Sequence, residues 1–383
     1  MRYGKIIKVF LYFRPYGAIF LKAFFLNTLN PGNFSKLIPH SRPTLGTEEV
    51  RRISEVINSG NIAQGEKVEQ FEVCLAREIG TSGAVACSSG TAALHLVLLG
   101  MDIGPGDEVI VPSYVCSALL NAVSYVNAIP VLAEVDPQNH NIDPADVKRR
   151  LTSRTKAVIA PHLFGMPADM DRLVSFGVPV IEDCAQAVGT LSNGKAVGGL
   201  GYAAIFSFYA TKVITTGEGG MVLSDSKDLL ERIRDLREYD QRESHSVRYN
   251  YKMTDIQAAM GLSQLQKLHD FITSRREVAE IYFRAFEAFD LDLPPRDAGH
   301  IYYRFVIRLK KDAGPLISSM AKKGIECARP VYKPLHRYLK IDGYPVTEQV
   351  WFRSISLPIY PSLTKEQADQ VETSLTSLFG VTK

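Results

Sequence analysis

The sequence predicts an α/β protein: a large domain on a mostly parallel sheet, followed by a smaller C-terminal α+β domain. Three observations carry that expectation. From Asp107 to Leu223, short apolar runs alternate with stretches of helical periodicity, the mark of strand–helix–strand units feeding a parallel sheet. A long helix-like stretch from Thr254 to about Phe289 follows, and a new strand pattern begins only beyond it. The chain is long enough for a big core and a second one, with 383 residues of which 46% are hydrophobic and 22% charged. The expected boundaries are a basic-aromatic extension over 1–37, a large domain over 38–270 and a small domain over 271–383.

The formal net charge of +3 gives no reason to expect a nucleic-acid partner. Its distribution is uneven. Residues 1–47 hold Arg2, Lys5, Lys8, Arg14, Lys22, Lys36 and Arg42 and no acid, and without those seven charges the remainder carries −4. Five cysteines without a CxxC pair read as the reduced thiols of a cytoplasmic protein, and no Cys/His spacing suits a metal.

The extension, KIIKVFLYFRPYGAIFLKAFFL at its centre, has no uncharged run near the ~20 residues that a spanning helix needs. Arg14-Pro15 breaks its apolar stretch and no small-residue cleavage site follows, against a secretory signal. Two readings stay open. The segment packs on the protein or a dimer mate, or it lies on an anionic membrane surface.

Thr47 is placed to cap a helix with Val50, Ile53 and Ile57 on its apolar side, ending at Ser59-Gly60. A second helix sets Val68, Phe71, Leu75 and Ile79 on one face and stops at Gly80. The apolar strand beginning at Ala84 then runs into Ser88-Ser-Gly-Thr91, where an apolar helix starts. Small residues at a helix start leave backbone N–H groups free for a phosphate, although Ser and Thr are also ordinary caps. Strands are expected at Glu108–Val111, Pro130–Val135, Ala157–His162, Val178–Ile181, Ala204–Phe208 and Gly220–Leu223. Helices are expected at Cys116–Tyr125, Pro144–Leu151 and Asp169–Phe176, and the small domain should hold a strand over Tyr302–Leu309 and helices over Leu316–Lys323 and Lys365–Phe379.

The chemistry centres on Ala204 to Ser224: an apolar strand, a polar turn with one lysine, a glycine-rich bend and a second strand. Lys212 sits among hydroxyls (Ser207, Thr211, Thr215, Thr216), where a Schiff base to an aldehyde cofactor can form beside phosphate-binding groups. A solvated loop lysine is the plainer alternative. Ile181-Glu-Asp-Cys-Ala-Gln186 ends a strand with an acid, at the sheet edge where α/β proteins place ligands, though a strand-end acid also caps helices.

SGTAALH, EDCAQA, FSFYATKVITTGEGGMV and YNYKMTDIQAA occur in the order found in the DegT/StrS-type sugar aminotransferases, and from about Ile38 onward the chain resembles that family. The resemblance implies a fold-type I enzyme using pyridoxal 5'-phosphate (PLP). Lys212 is implied as the cofactor-bearing catalytic lysine, which also shuttles the proton. Gly90, Thr91 and Ser207 are implied at the cofactor phosphate, Asp183 at the pyridine nitrogen and Gln186 near the ring hydroxyl. Asn250 is implied to reach the phosphate in a second subunit, hence a homodimer with shared active sites. Lys252, where arginine is common in the family, is expected to meet an acidic substrate group. Cys116 occupies the slot of the aromatic residue that stacks on the ring, so stacking is lost, thinner or supplied by Tyr114, which is also expected to contact substrate. Val188 replaces a usual histidine, and Gly201-Tyr202 a usual Gly-Asp.

The implied reaction moves an amino group, with glutamate as donor, to a keto or aldehyde sugar, nucleotide-linked, for surface-glycan or secondary-metabolite biosynthesis. A free keto sugar acid or a cyclitol is the alternative acceptor. A PLP-binding regulator is the non-enzyme alternative, against which Lys212, Asp183 and the SGT turn are all intact. The expected location is cytoplasmic, with membrane association through residues 1–37 left open.

Overall fold

The computed structural model describes residues 37–379, so the expectations for the basic-aromatic extension lie outside the described residues. The first helix, α1 (Thr47–Ser59), is capped by Gly46 and not by Thr47. The Glu49 carboxylate reaches back to the Gly46 N–H at 2.8 Å. Glu49 is also drawn inward by Ser263, Gln264 and Lys267, which turns the helix so that Glu49 and Val56 are buried while Val50 and Ile57 face outward. The expected apolar side of this helix is therefore mostly uncovered by the described residues. Helix α2 (Glu66–Ile79) buries Val68, Phe71, Leu75 and Ile79 as its spacing predicts, and Gly80 ends it at φ 88°.

Strand β1 (Gly83–Cys87) leads to α3 (Gly90–Gly100). Then come β2 (Glu108–Pro112), α4 (Ala118–Tyr125), β3 (Ile129–Ala133), α5 (Pro144–Arg150), β4 (Thr155–Pro161), α6 (Met170–Val174) and β5 (Val180–Asp183). A two-residue hairpin, β6 (Leu191–Ser192) and β7 (Lys195–Ala196), precedes β8 (Ala203–Ser207), β9 (Gly220–Ser224) and α7 (Lys227–Arg237). Seven strands form one sheet in the order β1-β9-β8-β5-β4-β2-β3. Only β9 runs antiparallel to its neighbours. Val109, Ile110, Val158, Ile159, Ile181 and Ile205 are almost wholly enclosed, as strands covered on both faces require.

The long helical stretch divides into α8 (Asp255–Gln266) and α9 (Leu268–Phe286), broken at Lys267, whose ammonium meets buried Glu49 at 2.5 Å. Beyond it lie β10 (Phe305–Arg308), α10 (Gly314–Lys322), α11 (Leu335–Leu339), α12 (Pro345–Arg353), β11 (Ser354–Leu357) and α13 (Lys365–Leu378). β10 and β11 pair antiparallel. A separate apolar cluster gathers these C-terminal elements around Phe283, Phe286, Phe305 and Ile355. No helix among the described residues is long and apolar enough to cross a membrane.

Candidate active site

The C-terminal ends of the parallel strands carry the candidate residues to one edge of the sheet, where this architecture binds ligands. Strand β1 passes into an extended Ser89, whose hydroxyl accepts the Ala92 N–H at 3.1 Å and starts α3. The first-turn N–H groups of Gly90 and Thr91 have no acceptor within the helix, and its positive end points out of the sheet edge. A Cβ placed on Gly90 would stand 2.9 Å from that of Ser207 at the end of β8, so helix start and strand end form one cradle that a side chain would fill.

Between β8 and β9 the chain makes a loop closed upon itself. Phe208 donates its N–H to Gly219 and its carbonyl accepts from the Thr216 N–H and the Thr215 hydroxyl. The Thr216 hydroxyl donates to the Glu218 carbonyl at 2.6 Å. Thr215 and Thr216 are thus spent inside the loop and are not available to a phosphate. Lys212 stands in the turn, its N–H on the Tyr209 carbonyl at 2.8 Å, its ammonium half-buried and free of any ion pair among the described residues.

Asp183 ends β5 between Pro161 of β4 and Ile205 of β8. Burial pushes its carboxyl above the usual range, while the Ala185 N–H at 3.0 Å and the fields of Lys212 and His162 pull the other way. A buried carboxylate of this kind lacks a close cationic partner, and a protonated ring nitrogen would supply one. Gln186 accepts the Phe164 N–H at 2.9 Å through Oε1, which leaves its amide N–H groups as donors. Cys116 is solvent-exposed in the recess at this edge of the sheet, where it follows β2 as Asp183 ends β5 and Lys212 follows β8. Burial and Asp183 raise its thiol while Lys212 lowers it.

Two expected contacts fall elsewhere. Tyr114 is fully enclosed, its ring against His140 and Phe164, so it does not reach the recess. Lys252 is held by Glu238 at 2.8 Å and Asp240 at 3.7 Å, internal acids that satisfy its charge. Asn250 is exposed, and the next residue ties its segment to the α3 turn through the Ser88 N–H and the Tyr251 carbonyl at 2.7 Å.

The structure adds residues that sequence reasoning missed. Glu182 points to the opposite face from Asp183 and is wholly buried. It takes the N–H groups of Gly198, Leu200 and Gly201 and His162 Nε2 at 2.9 Å. His162 Nδ1 accepts from the Ala168 N–H, which sets the proton on Nε2. These bonds occupy every carboxylate and imidazole donor atom, and burial holds the neighbouring Cys184 as a neutral thiol. The His162–Glu182–Cys184 group is therefore a structural tie and not a cation site. Its one sequence signal is a charged residue inside a strand buried on both faces, which demands buried partners. Tyr303, just before β10, has Lys212 Nζ over its ring, and Arg304 lies over the same ring. No local pattern marks them, because two left-handed residues, Phe164 and Tyr302, bring them there from about a hundred residues away.

Nearly the whole chain is similar to known aminotransferases. The profile of the DegT/DnrJ/EryC1/StrS aminotransferase family matches residues 43–376. GDP-perosamine synthase of Escherichia coli O157:H7 is 36% identical over 362 residues, 90% of this chain and 99% of that one. Among solved structures, DesV of S. venezuelae superposes with a TM-score of 0.83 at 33% identity, covering 88% of this chain and 95% of its own. Spr1654 of Streptococcus pneumoniae, solved in a PLP form, superposes at 0.85 and 26% identity over 91% of this chain and all of its own.

Proposed function

We propose, from the premise that the chain belongs to the DegT/DnrJ/EryC1/StrS aminotransferase family, that it moves an amino group from glutamate to a keto group on a nucleotide-linked sugar. It is a PLP-dependent sugar aminotransferase, as its family and relatives are. The observation that carries the reading is that Lys212, Asp183 and the Gly90–Ser207 cradle lie at one edge of the sheet, at or just beyond the ends of neighbouring strands. The nucleotide-linked acceptor is supported by the 36% identity to a protein named for a GDP-linked sugar, across nearly all of that protein.

These residues fit PLP. Gly90, Thr91 and Ser207 would hold its phosphate, Asp183 its pyridine nitrogen and Gln186 its ring hydroxyl, with Cys116 on the wall beside it. When bound, the cofactor supplies an aldehyde that condenses with amines and a ring that withdraws electrons from the carbon they carry. Lys212 would anchor that aldehyde, and its Nζ, once released by a donor amine, would take and return the proton at the reacting carbon. Asp183, ionised opposite a protonated ring nitrogen, would hold the proton there. The internal ties of Thr215, Thr216 and Tyr209 keep the lysine turn from drifting, so Nζ is aimed before substrate arrives.

A dimer completes the reading. Asn250 is exposed beside the α3 turn, and α1 presents Val50 and Ile57, 65% and 55% exposed, with none of the described residues packed over them. Such a face fits a two-fold interface that brings Asn250 to the phosphate of the opposite site.

Half-reaction spectroscopy tests the function. Glutamate should convert the holoenzyme's visible absorbance to that of the amine form, and a keto sugar nucleotide should restore it. An enzyme whose spectrum answers to no amino donor is not an aminotransferase.

A further inference from the structure

Three cations gather round one phenol at the edge of the recess, and no acid meets them. The Tyr303 ring is 4% exposed. Lys212 Nζ lies 5.7 Å from its centroid, Arg304 Cζ 4.8 Å and Arg275 Cζ 5.8 Å. Arg275, on α9, gives Nη1 to the carbonyls of Tyr303 and Ile359, and its buried Nε has no partner. Arg304 is half-buried and gives one N–H to His40 Nδ1 at 3.3 Å and another to the Tyr303 hydroxyl at 3.4 Å. Among the described residues no carboxylate lies within ion-pair distance of any of the three. Asp183 acts on Lys212 only through space.

The surroundings keep Arg304 available. Burial and Arg304 itself lower His40 to about 3, so that imidazole is neutral and Nδ1 accepts. Its other nitrogen, Nε2, then donates to Ser356 Oγ at 2.8 Å, which fixes the ring behind the guanidinium. The remaining donors of the planar fork are unspent. Positive charge set half-out of water without an acid is costly to hold and is compensated by an anion from outside.

We propose that Arg304 and the Tyr303 hydroxyl form an anion subsite beside Lys212 that receives the α-carboxylate of the amino-acid donor. The proposal rests on the transaminase reading and names a subsite within it. Amine and α-carboxylate share one carbon in an amino acid, so the carboxylate's donors must flank the same spot that Lys212 Nζ serves. One phenol ring, faced by both Lys212 and Arg304, meets that requirement. The diphosphate of a sugar nucleotide is kept from its reacting carbonyl by the width of the sugar ring, and so belongs farther out. A guanidinium with a phenol matches the two oxygens of a planar carboxylate.

The arrangement has a second consequence. Burial pushes the Tyr303 phenol up, but Arg304, Lys212, the Thr211 hydroxyl and Arg275 together bring it down to about 8. A bound carboxylate and a Tyr303 phenolate neutralise the same cations, so each disfavours the other, by the same factor in both directions. Carboxylate binding therefore weakens as the phenol ionises.

Calorimetric titration of the holoenzyme with glutarate, a dicarboxylate without an amine, tests this apart from turnover, with GDP as the second probe. Arg304→Gln should weaken glutarate about tenfold or more, the size of a lost charge-assisted hydrogen bond, and leave GDP unchanged. Arg304→Lys, which keeps the charge, should recover part of the loss. In the unaltered enzyme glutarate should weaken between about pH 7 and pH 9, and saturating glutarate should move the lowest tyrosinate absorbance step upward. Both effects should vanish in Tyr303→Phe. Unchanged glutarate binding in a folded Arg304→Gln protein overturns the proposal. Loss of GDP binding with glutarate intact overturns it too, by giving the subsite to a diphosphate. Failure of the transaminase reading appears separately, as a missing half-reaction.

Discussion

Gly90 backs directly onto Ser207: a Cβ on the glycine would stand 2.9 Å from the serine Cβ and 3.3 Å from its hydroxyl oxygen. Two points some 117 positions apart thereby share one wall, and the free N–H groups of a helix start face the same space as a strand-end hydroxyl. Gly90→Ala must push β8 and α3 apart, at an overpacking cost of about 1–3 kcal/mol. We expect PLP affinity, followed by absorbance on titrating the apoprotein, to fall about tenfold or more. An alanine protein that binds PLP as tightly as the original would remove the cradle from the phosphate site.

Asp183 sets a trade between stability and function. Burial raises its carboxyl above the ordinary 3.8, so the cofactor-free protein binds that proton more tightly than the unfolded chain does. That contribution is full below about pH 4 and is lost as pH rises through the raised native value. Asp183→Asn should therefore melt higher than the original without cofactor at neutral pH, yet gain less from PLP and turn over about 10²–10⁴-fold more slowly, the range for a lost proton-holding group. Equal melting temperatures for the two apoproteins at neutral pH would show that Asp183 is not buried in this way.

Glu182 works in the opposite sense. Burial would raise it, but His162 and the N–H groups of Gly198 and Gly201 outweigh burial and hold it below the ordinary 4.5. Its stabilisation is present above that value and lost as pH falls through the native one. Glu182→Gln turns an amide NH₂ toward donors already aimed at it, at about 1–3 kcal/mol for each donor left stranded. Denaturant melts should show that loss shrinking in acid. A variant as stable as the original at pH 7 would mean the tie is slack.

The parts of the site that were legible beforehand are those in which chemistry and chain are contiguous. A strand, a small-residue turn and a helix start put Gly90 and Thr91 in place by themselves, and Asp183 needs only the end of its strand. The lysine turn is likewise a local object, although its Thr215 and Thr216 hydroxyls turned out to serve the loop. Periodicity misjudged α1, because it ranks Val50 and Ile57 above Glu49 and cannot see the Ser263–Gln264–Lys267 cluster that draws the acid in. Lys252 looked free only because Glu238 lies fourteen residues away and folds back to it. Tyr303 and Arg304 were out of reach for the same reason: they depend on the Arg304 N–H meeting the Phe164 carbonyl at 3.3 Å and the Ile301 N–H meeting that of Gly165 at 3.1 Å.

Subunit mixing probes the shared site. Asn250→Ala and Lys212→Ala proteins should each be nearly inactive, and exchanging their subunits should restore activity, because one site of each hybrid carries neither lesion. Full activity in Asn250→Ala alone, or in a monomer seen by sedimentation, would contradict an active site built across the interface.

The most direct measurement is borohydride reduction of the holoenzyme followed by peptide mass mapping. The account predicts that the visible absorbance disappears and that one peptide, the one spanning Lys212, gains the mass of the reduced cofactor. A Lys212→Arg protein should show no such peptide and no turnover. The label on another lysine, or a Lys212→Arg enzyme that still aminates a keto sugar, would contradict the assignment of Lys212 and the site described around it.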